Sequence, residues 1–363
     1  MIRVAINGFG RIGRQAFKVW FDKHREEIEV VAVNDLTDAN VLAHLLKNDS
    51  VYGAWSRKVE GIVDPSLTSE VKPGRQQENT SEVLPKDTEG KEVGQIKVDD
   101  FTVKVFATKD PSLLPWKDLG IDVVIESTGR FTQKEDAGKH IAAGAKKVVI
   151  SAPGKETPTL LLGVNEEKYA GEDVINNASC TTNCIAPVAK VINQQFGIKK
   201  AMMTTVHGYT ADQNLQDGPH KDLRRARAAA INIVPTTTGA AIATTEAIPE
   251  LKGLFEGTAL RVPVPVVSIS DFTFLLSKKV TIDEVNKVLE NATVKDSPLH
   301  GILAVTRDPV VSSDIIGRSE SAIVDLSLTQ VVDGDLVKVF AWYDNEFGYS
   351  NRLIEQVIAI GNS

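Results

Sequence analysis

The turn Gly8-Phe9-Gly10-Arg11-Ile12-Gly13 constrains this chain more than any other stretch. Residues 2–6 before it alternate as a short buried strand. After it, Ala16, Phe17, Val19 and Trp20 fall at helical spacing. In that strand–turn–helix setting each glycine has a task. Gly8 allows the tight turn, Gly10 lets the backbone approach a pyrophosphate, and Gly13 lets the helix pack on the strand. The pyrophosphate then rests on the helix N-terminus, where unpaired N–H groups point outward. A second strand pattern over residues 29–33 runs into Asn34-Asp35. An acidic residue about 20 positions beyond the glycines is what ribose hydroxyls require. Asp35 repels a 2′-phosphate, and Leu36 offers neither hydroxyl nor charge to hold one. The expected ligand is therefore NAD, with NADP disfavoured.

Strand and helix patterns go on alternating. A helix is expected over residues 38–46, strands over 101–107, 123–126 and 147–150, and a helix over 134–143. This alternation specifies an α/β domain with a Rossmann-type, doubly wound, mostly parallel sheet. Carboxyl ends of strands line the ligand crevice of such sheets. That places Ser127, Thr128, Gly129 and Ser151 beside the dinucleotide, with Asn7 at the end of the first strand. Residues 55–98 interrupt the pattern with Pro65, Pro73, Gly74, Pro85 and Gly90, and residues 72–91 are nearly devoid of apolar side chains. The expectation there is a surface loop between strands, inert rather than regulatory.

The character changes at Asn176-Asn177-Ala178-Ser179-Cys180-Thr181-Thr182-Asn183-Cys184. Polar residues that favour helix N-termini precede a helical apolar pattern ending near Phe196. Cys180 then sits at the start of a helix, where the dipole favours a thiolate. A strand over 201–206 delivers His207 as the partner base, a pairing distant in sequence and close in the fold. Beyond it, residues 264–276, 302–305, 323–328 and 337–343 read as strands, and 281–291 as an amphipathic helix. They define an α+β catalytic domain with a mixed or antiparallel sheet. The expected division is 1–179 and 180–345, with a final helix in 346–363 packing back on the first domain.

Composition limits the partners. With 41 basic against 48 acidic residues the formal net charge is −7, which argues against nucleic acid or a membrane surface as a general partner. No apolar run approaches the length of a membrane span, and the chain starts directly in a strand pattern, so no leader is expected. Cys180 and Cys184 are the two cysteines, four positions apart. Without further Cys or His ligands nearby they are weak evidence for zinc, and no metal is expected. One working thiol and one structural thiol in a reducing cytoplasm is the reading.

Ser179-Cys180-Thr181-Thr182-Asn183-Cys184, with Thr205-Val206-His207 downstream, resembles the phosphorylating glyceraldehyde-3-phosphate dehydrogenase family. The resemblance covers nearly the whole chain, 55–98 being the poorly matching segment, about 30 residues longer than usual in the family. It implies oxidation of glyceraldehyde 3-phosphate to 1,3-bisphosphoglycerate with NAD and inorganic phosphate, through a thiohemiacetal and a thioester on Cys180 with His207 as base. It implies that Thr210 and Arg261 hold the substrate phosphate. Ser179, Thr181, Thr238, Gly239 and Arg225 would hold the attacking phosphate, Arg225 lying in a basic segment that reaches a subunit interface. Asn345 would hydrogen-bond the nicotinamide amide, with Tyr349 beside it as a cofactor or packing residue. The family is usually a homotetramer. Ile242, Val264 and Val266 depart from common family residues at structural positions, and Gly218 replaces a bulkier residue beside the adenosine. Two other functions fit the same residues: an erythrose-4-phosphate dehydrogenase, and a non-enzymatic interaction role through 55–98.

Overall fold

The computed structural model describes residues 1–63 and 88–363, arranged as two compact units. The first comprises Met1–Pro158, Ala170–Asn176 and Leu353–Ser363. The second comprises Thr159–Tyr169 and Asn177–Arg352.

The first unit is built on a sheet of eight strands. In chain order they are β1 (Ile2–Asn7), β2 (Ile28–Asn34), β5 (Val59–Val63), β6 (Glu92–Val98), β7 (Phe101–Phe106), β8 (Val123–Glu126), β9 (Lys147–Ile150) and β10 (Val174–Asn176). A short hairpin of β3 (Asn48–Asp49) and β4 (Gly53–Ala54) stands apart. The sheet order is β10-β9-β8-β1-β2-β7-β6-β5, and β10 through β7 run parallel. β1 lies between β2 and β8, so the winding reverses at β1. Ligand crevices in open α/β sheets form at such reversals. Strand interiors are apolar on both faces, as parallel strands covered on both sides must be.

α1 (Arg11–Lys23) follows the glycine turn directly. Its apolar face carries Phe17, Trp20 and Phe21, which meet Trp55 and Phe101 edge-on with ring centroids 5.2–6.5 Å apart. α2 (Ala39–Lys47) starts where expected, because Asp38 accepts from the N–H groups of Asn40 and Val41.

Two expectations are corrected. The helix over 134–143 is two single turns, α3 (Lys134–Ala137) and α4 (Lys139–Ala142), with Gly138 between them as the cap of each. Residues 55–98 are not all loop: β5 and β6 form an antiparallel hairpin whose second strand pairs with β7. Buried Val93, Ile96 and Val98 secure it. The Pro and Gly punctuation hid alternation in flanking residues that needed a sheet edge to become visible. Most of the polar middle, residues 72–91, lies outside the described residues.

The second unit places a mixed sheet against helices. Its strands are β11 (Ile198–Gly208), β12 (Val234–Thr237), β13 (Phe255–Val262), β14 (Ser268–Leu276), β15 (Leu303–Thr306), β16 (Ala322–Asp325), β17 (Gln330–Val332) and β18 (Leu336–Tyr343). They run in the order β12-β13-β11-β14-β18-β16-β15, with β17 on β18. β11–β13 and β15–β16 are parallel and the remaining pairs antiparallel. One face of β14 carries buried Phe272, Phe274 and Leu276, packed with Ile185, Ala189 and Ile192 of α5 (Cys180–Phe196) in a single core. α6 (Ala240–Ala247) and α7 (Ile282–Asn291) complete that layer, α7 held by a capping box between Thr281 and Glu284. α8 (Phe347–Gly361) begins in the second unit, and from Leu353 onward it clusters with the first.

Gly13 is the tightest point of the glycine turn, since a Cβ there would lie 2.2 Å from the carbonyl oxygen of Gly8. Gly13→Ala is expected to cost roughly 3 kcal/mol of stability and to weaken NAD binding, read by denaturant unfolding and nucleotide titration. A variant with wild-type stability and affinity would contradict this packing role.

Candidate active site

In the first unit a cavity of about 430 Å³ opens at the carboxyl ends of the central strands. Asn7, Gly8, Gly10, Asp35, Ser127 and Thr128 line it, as expected. The glycines divide the labour in the way the pattern requires. Gly8 adopts φ +91°, and a Cβ there would strike the Thr128 amide nitrogen at 2.6 Å. Gly10 has open space where a Cβ would sit, which is the room a pyrophosphate needs. Asp35 accepts from the Phe9 N–H at 2.7 Å, so the carboxylate braces the turn that it faces.

Other expected cofactor residues lie outside this cavity's lining. Phe9 is buried and packs its ring on Phe17, so only its backbone serves the turn. Arg11 is paired with Asp49 at 2.7 Å, and Ile12 and Gly13 belong to the first turn of α1. Gly129 sits between the lining residues Thr128 and Arg130 without lining the cavity, and Ser151, just after β9, is outside the lining as well. Thr37, Thr108, Lys109, Arg130 and Phe131 line it and were not anticipated. The strand-end rule, applied to β7 as well as β8, would have found Thr108 and Lys109.

In the second unit the chemistry is concentrated around α5. Ser179 caps the helix, accepting from the Thr182 N–H at 3.0 Å, which puts Cys180 at its first residue. Residue 178 adopts φ +50° although it is alanine, a strained turn immediately before the cap. Cys180 Sγ lies 3.5 Å from His207 Nε2. The other ring nitrogen, Nδ1, is 2.6 Å from both the Gly208 carbonyl and Arg261 Nη1. A carbonyl only accepts and a guanidinium only donates. Protonated Nδ1 therefore donates to Gly208 and leaves the Nε2 lone pair facing sulfur. Bare Nδ1 accepts from Arg261 and turns Nε2–H onto a thiolate. Both tautomers have a ready partner.

Burial works against charge on either partner. It pushes the Cys180 thiol up, opposed by Arg261. It drives His207 down to about 3, with Arg261 and Arg225 adding to the depression. A standing thiolate–imidazolium pair is thus not what burial favours; Arg261 and the helix terminus are what lower the cost of the thiolate. Arg261 is itself depressed by burial, and its buried Nε has no hydrogen-bond partner among the described residues. Arg225 bonds Thr236 at 3.0 Å and pairs with Asp212. Two guanidiniums acting on one imidazole, one with a buried donor unsatisfied, make a pocket suited to an oxyanion.

Thr181 is tied in through Tyr343, whose hydroxyl lies 2.9 Å from Thr181 Oγ1 and 2.9 Å from Thr205 Oγ1. Thr238 accepts from Ala240 N–H at the start of α6, and Gly239 is open to solvent. Thr210 bonds only Gln213 among the described residues, through its backbone. Asn345 is buried, its side-chain oxygen accepting from Ser268 at 3.2 Å. Tyr349 is buried, and its hydroxyl donates to the Ala178 carbonyl at 2.9 Å, which braces the strained turn. Tyr343 and Ser268 were missed because their sequence positions carry only ordinary strand alternation. Cys184 is buried beside Ser270, its thiol pushed up by burial, consistent with a structural role.

A glycine-turn dinucleotide cavity together with a helix-start thiol facing an imidazole defines the class of thiol-dependent nicotinamide dehydrogenases. Residues 2–73 and 75–134 match the family model described as glyceraldehyde 3-phosphate dehydrogenase, NAD binding domain, and residues 179–345 match its C-terminal domain. The first match runs through most of segment 55–98. The chain is 50% identical over 364 residues to glyceraldehyde-3-phosphate dehydrogenase 2 of Streptomyces avermitilis, covering 99% of each. It is 50% identical over 357 residues to glyceraldehyde-3-phosphate dehydrogenase 1 of Bacillus subtilis, covering 98% of this chain and 96% of the relative. The enzyme of Mycolicibacterium smegmatis is 49% identical over 368 residues. The chain belongs to the glyceraldehyde-3-phosphate dehydrogenase family, and NAD is its cofactor.

The depressed His207 has a measurable consequence. Its pKa is about 3 folded and about 6.5 unfolded, so below pH 6.5 the unfolded chain binds a proton that the folded chain does not. Stability should fall as pH drops through that window, by about 1.4 kcal/mol per pH unit from this group. Thermal unfolding at pH 7 and pH 5 should show a smaller acid loss in His207→Gln than in wild type. Parallel losses would refute the buried neutral imidazole.

Proposed function

We propose that the chain oxidises glyceraldehyde 3-phosphate to 1,3-bisphosphoglycerate, with NAD as electron acceptor and inorganic phosphate as second substrate. The observation that carries this reading is the Cys180–His207 contact under two arginines. Family membership and the named relatives support the same activity.

Cys180 sulfur attacks the aldehyde carbon and forms a thiohemiacetal. His207 Nε2, with Nδ1–H held by Gly208, takes the hydroxyl proton as the carbonyl re-forms. The nicotinamide supplies a hydride acceptor, which leaves an acyl group on sulfur. A phosphate oxygen then attacks the thioester carbonyl, the C–S bond breaks, and the thiolate leaves toward the helix terminus. Arg261 and Thr210 are assigned to the substrate phosphate. Ser179, Thr181, Arg225, Thr238 and Gly239 are assigned to the attacking phosphate. In the first unit, Gly10 gives room for the pyrophosphate and Asp35 meets the ribose hydroxyls and repels a 2′-phosphate. Asn345 keeps its side-chain nitrogen for the nicotinamide amide while its oxygen is held by Ser268.

The quaternary proposal is a homotetramer. Leu215, Leu223, Ile231 and Ile233, with exposures of 68–81%, crowd one segment of the second unit, more apolar surface than one loop ordinarily leaves in water. No helix among the described residues is long and apolar enough to cross a membrane, and a cytoplasmic soluble enzyme is the corresponding reading.

Cys180→Ser should remove at least about 10³-fold of turnover while NAD binding stays near wild type. Turnover by wild type should require phosphate or arsenate and prefer NAD to NADP. Phosphate-independent release of an acid would favour the erythrose-4-phosphate reading, and full activity in Cys180→Ser would end the assignment. Light scattering should give four times the chain mass; a monomer would refute the assembly.

A further inference from the structure

Beneath the dinucleotide cavity lies a buried polar group that the chemistry above does not use. Glu126, the last residue of β8, is 1% exposed. Its Oε2 accepts from Asn7 Nδ2 at 2.5 Å and faces His140 Nε2 at 3.1 Å. Its Oε1 accepts from both the Thr128 amide and the Thr128 hydroxyl, at 2.8 and 2.5 Å. His140, fully buried on α4, takes the Trp116 indole N–H on Nδ1 at 2.9 Å. An indole only donates, so Nδ1 must accept and Nε2 carries the hydrogen aimed at the carboxylate. The chain runs on the other side as well. Asn34 Nδ2 donates to Asn7 Oδ1 at 2.7 Å and to the Thr108 carbonyl at 3.0 Å, and the Thr108 amide donates back to Asn34 Oδ1.

Asn7, Asn34, Thr108 and Thr128 all line the cavity, and they close the ends of β1, β2, β7 and β8. These strands are already neighbours in the sheet, and the carboxylate adds a side-chain link from the Asn7–Asn34–Thr108 chain to the Thr128 turn beyond β8. A buried ion without matching donors is costly, whereas one saturated by donors fixes their geometry. We propose that Glu126, oriented by His140 and Trp116, is a positioning residue for NAD. It sets the spacing between the Asn34–Thr108 side of the cavity and the Thr128 side, so that a ligand spanning both is bound in register. This rests on the cavity being the NAD site.

The test compares a spanning ligand with a short one. In Glu126→Gln the amide presents donors where donors already point. NAD Kd is expected to rise about tenfold or more, AMP Kd by much less, and kcat at saturating NAD and Cys180 alkylation to stay near wild type. Equal weakening of NAD and AMP would mean a merely structural role and overturn the proposal, as would an unchanged NAD Kd. Should Glu126→Gln fail to fold, Trp116→Phe releases only the far end of the relay. It should weaken NAD several-fold more than AMP, and equal effects there overturn the proposal too. A wild-type chain that binds neither nucleotide would instead sink the cavity assignment itself.

Discussion

The Tyr343 hydroxyl, wedged between Thr181 and Thr205, is the interaction on which the catalytic geometry depends. Thr181 follows the nucleophile on α5, and Thr205 precedes His207 by two residues on β11. Neither element alone sets the distance from sulfur to imidazole. The phenol, buried on β18, pins the helix start to the strand, and its ring also packs edge-on against His207. Strain is stored nearby. Ala178 at φ +50° and the β-branched Val267 at φ +75° hold left-handed conformations that cost of order 1–3 kcal/mol each. Tyr349 braces the first, and the second carries the carbonyl that accepts from Gly208. Such turns persist only where the surroundings over-determine them.

The electrostatics follow from the same burial. A sulfur and an imidazole withdrawn from water are both driven toward neutrality. Arg261 offsets that for sulfur and aggravates it for the imidazole, because it favours negative charge and disfavours positive charge. One guanidinium thus favours the thiolate and the neutral imidazole together. The neutral imidazole it enforces is the form a general base must take.

Much of this was legible in the residues. The glycine turn, Asp35, the helix cap before Cys180 and the histidine at a strand end each have a local signature, because turn, cap and periodicity are set by neighbours in sequence. The same locality explains the misreadings. The β5–β6 hairpin was hidden by flanking Pro and Gly, and the break at Gly138 by continuous apolar spacing on either side. Tyr349 stayed open between cofactor and packing residue because an aromatic near a site reads alike whether its hydroxyl faces a ligand or a backbone carbonyl.

The sequence by itself determined the two kinds of chemistry, a dinucleotide turn and a helix-start thiol with a distant base, since these reside in short contiguous motifs. Only the tertiary structure decided what lies beside what: Tyr343 between two threonines, Arg261 on His207, and Glu126 on Asn7. Those contacts link residues 54 to 162 positions apart, and no local propensity encodes separations of that length. They arise only once packing has closed the chain on itself.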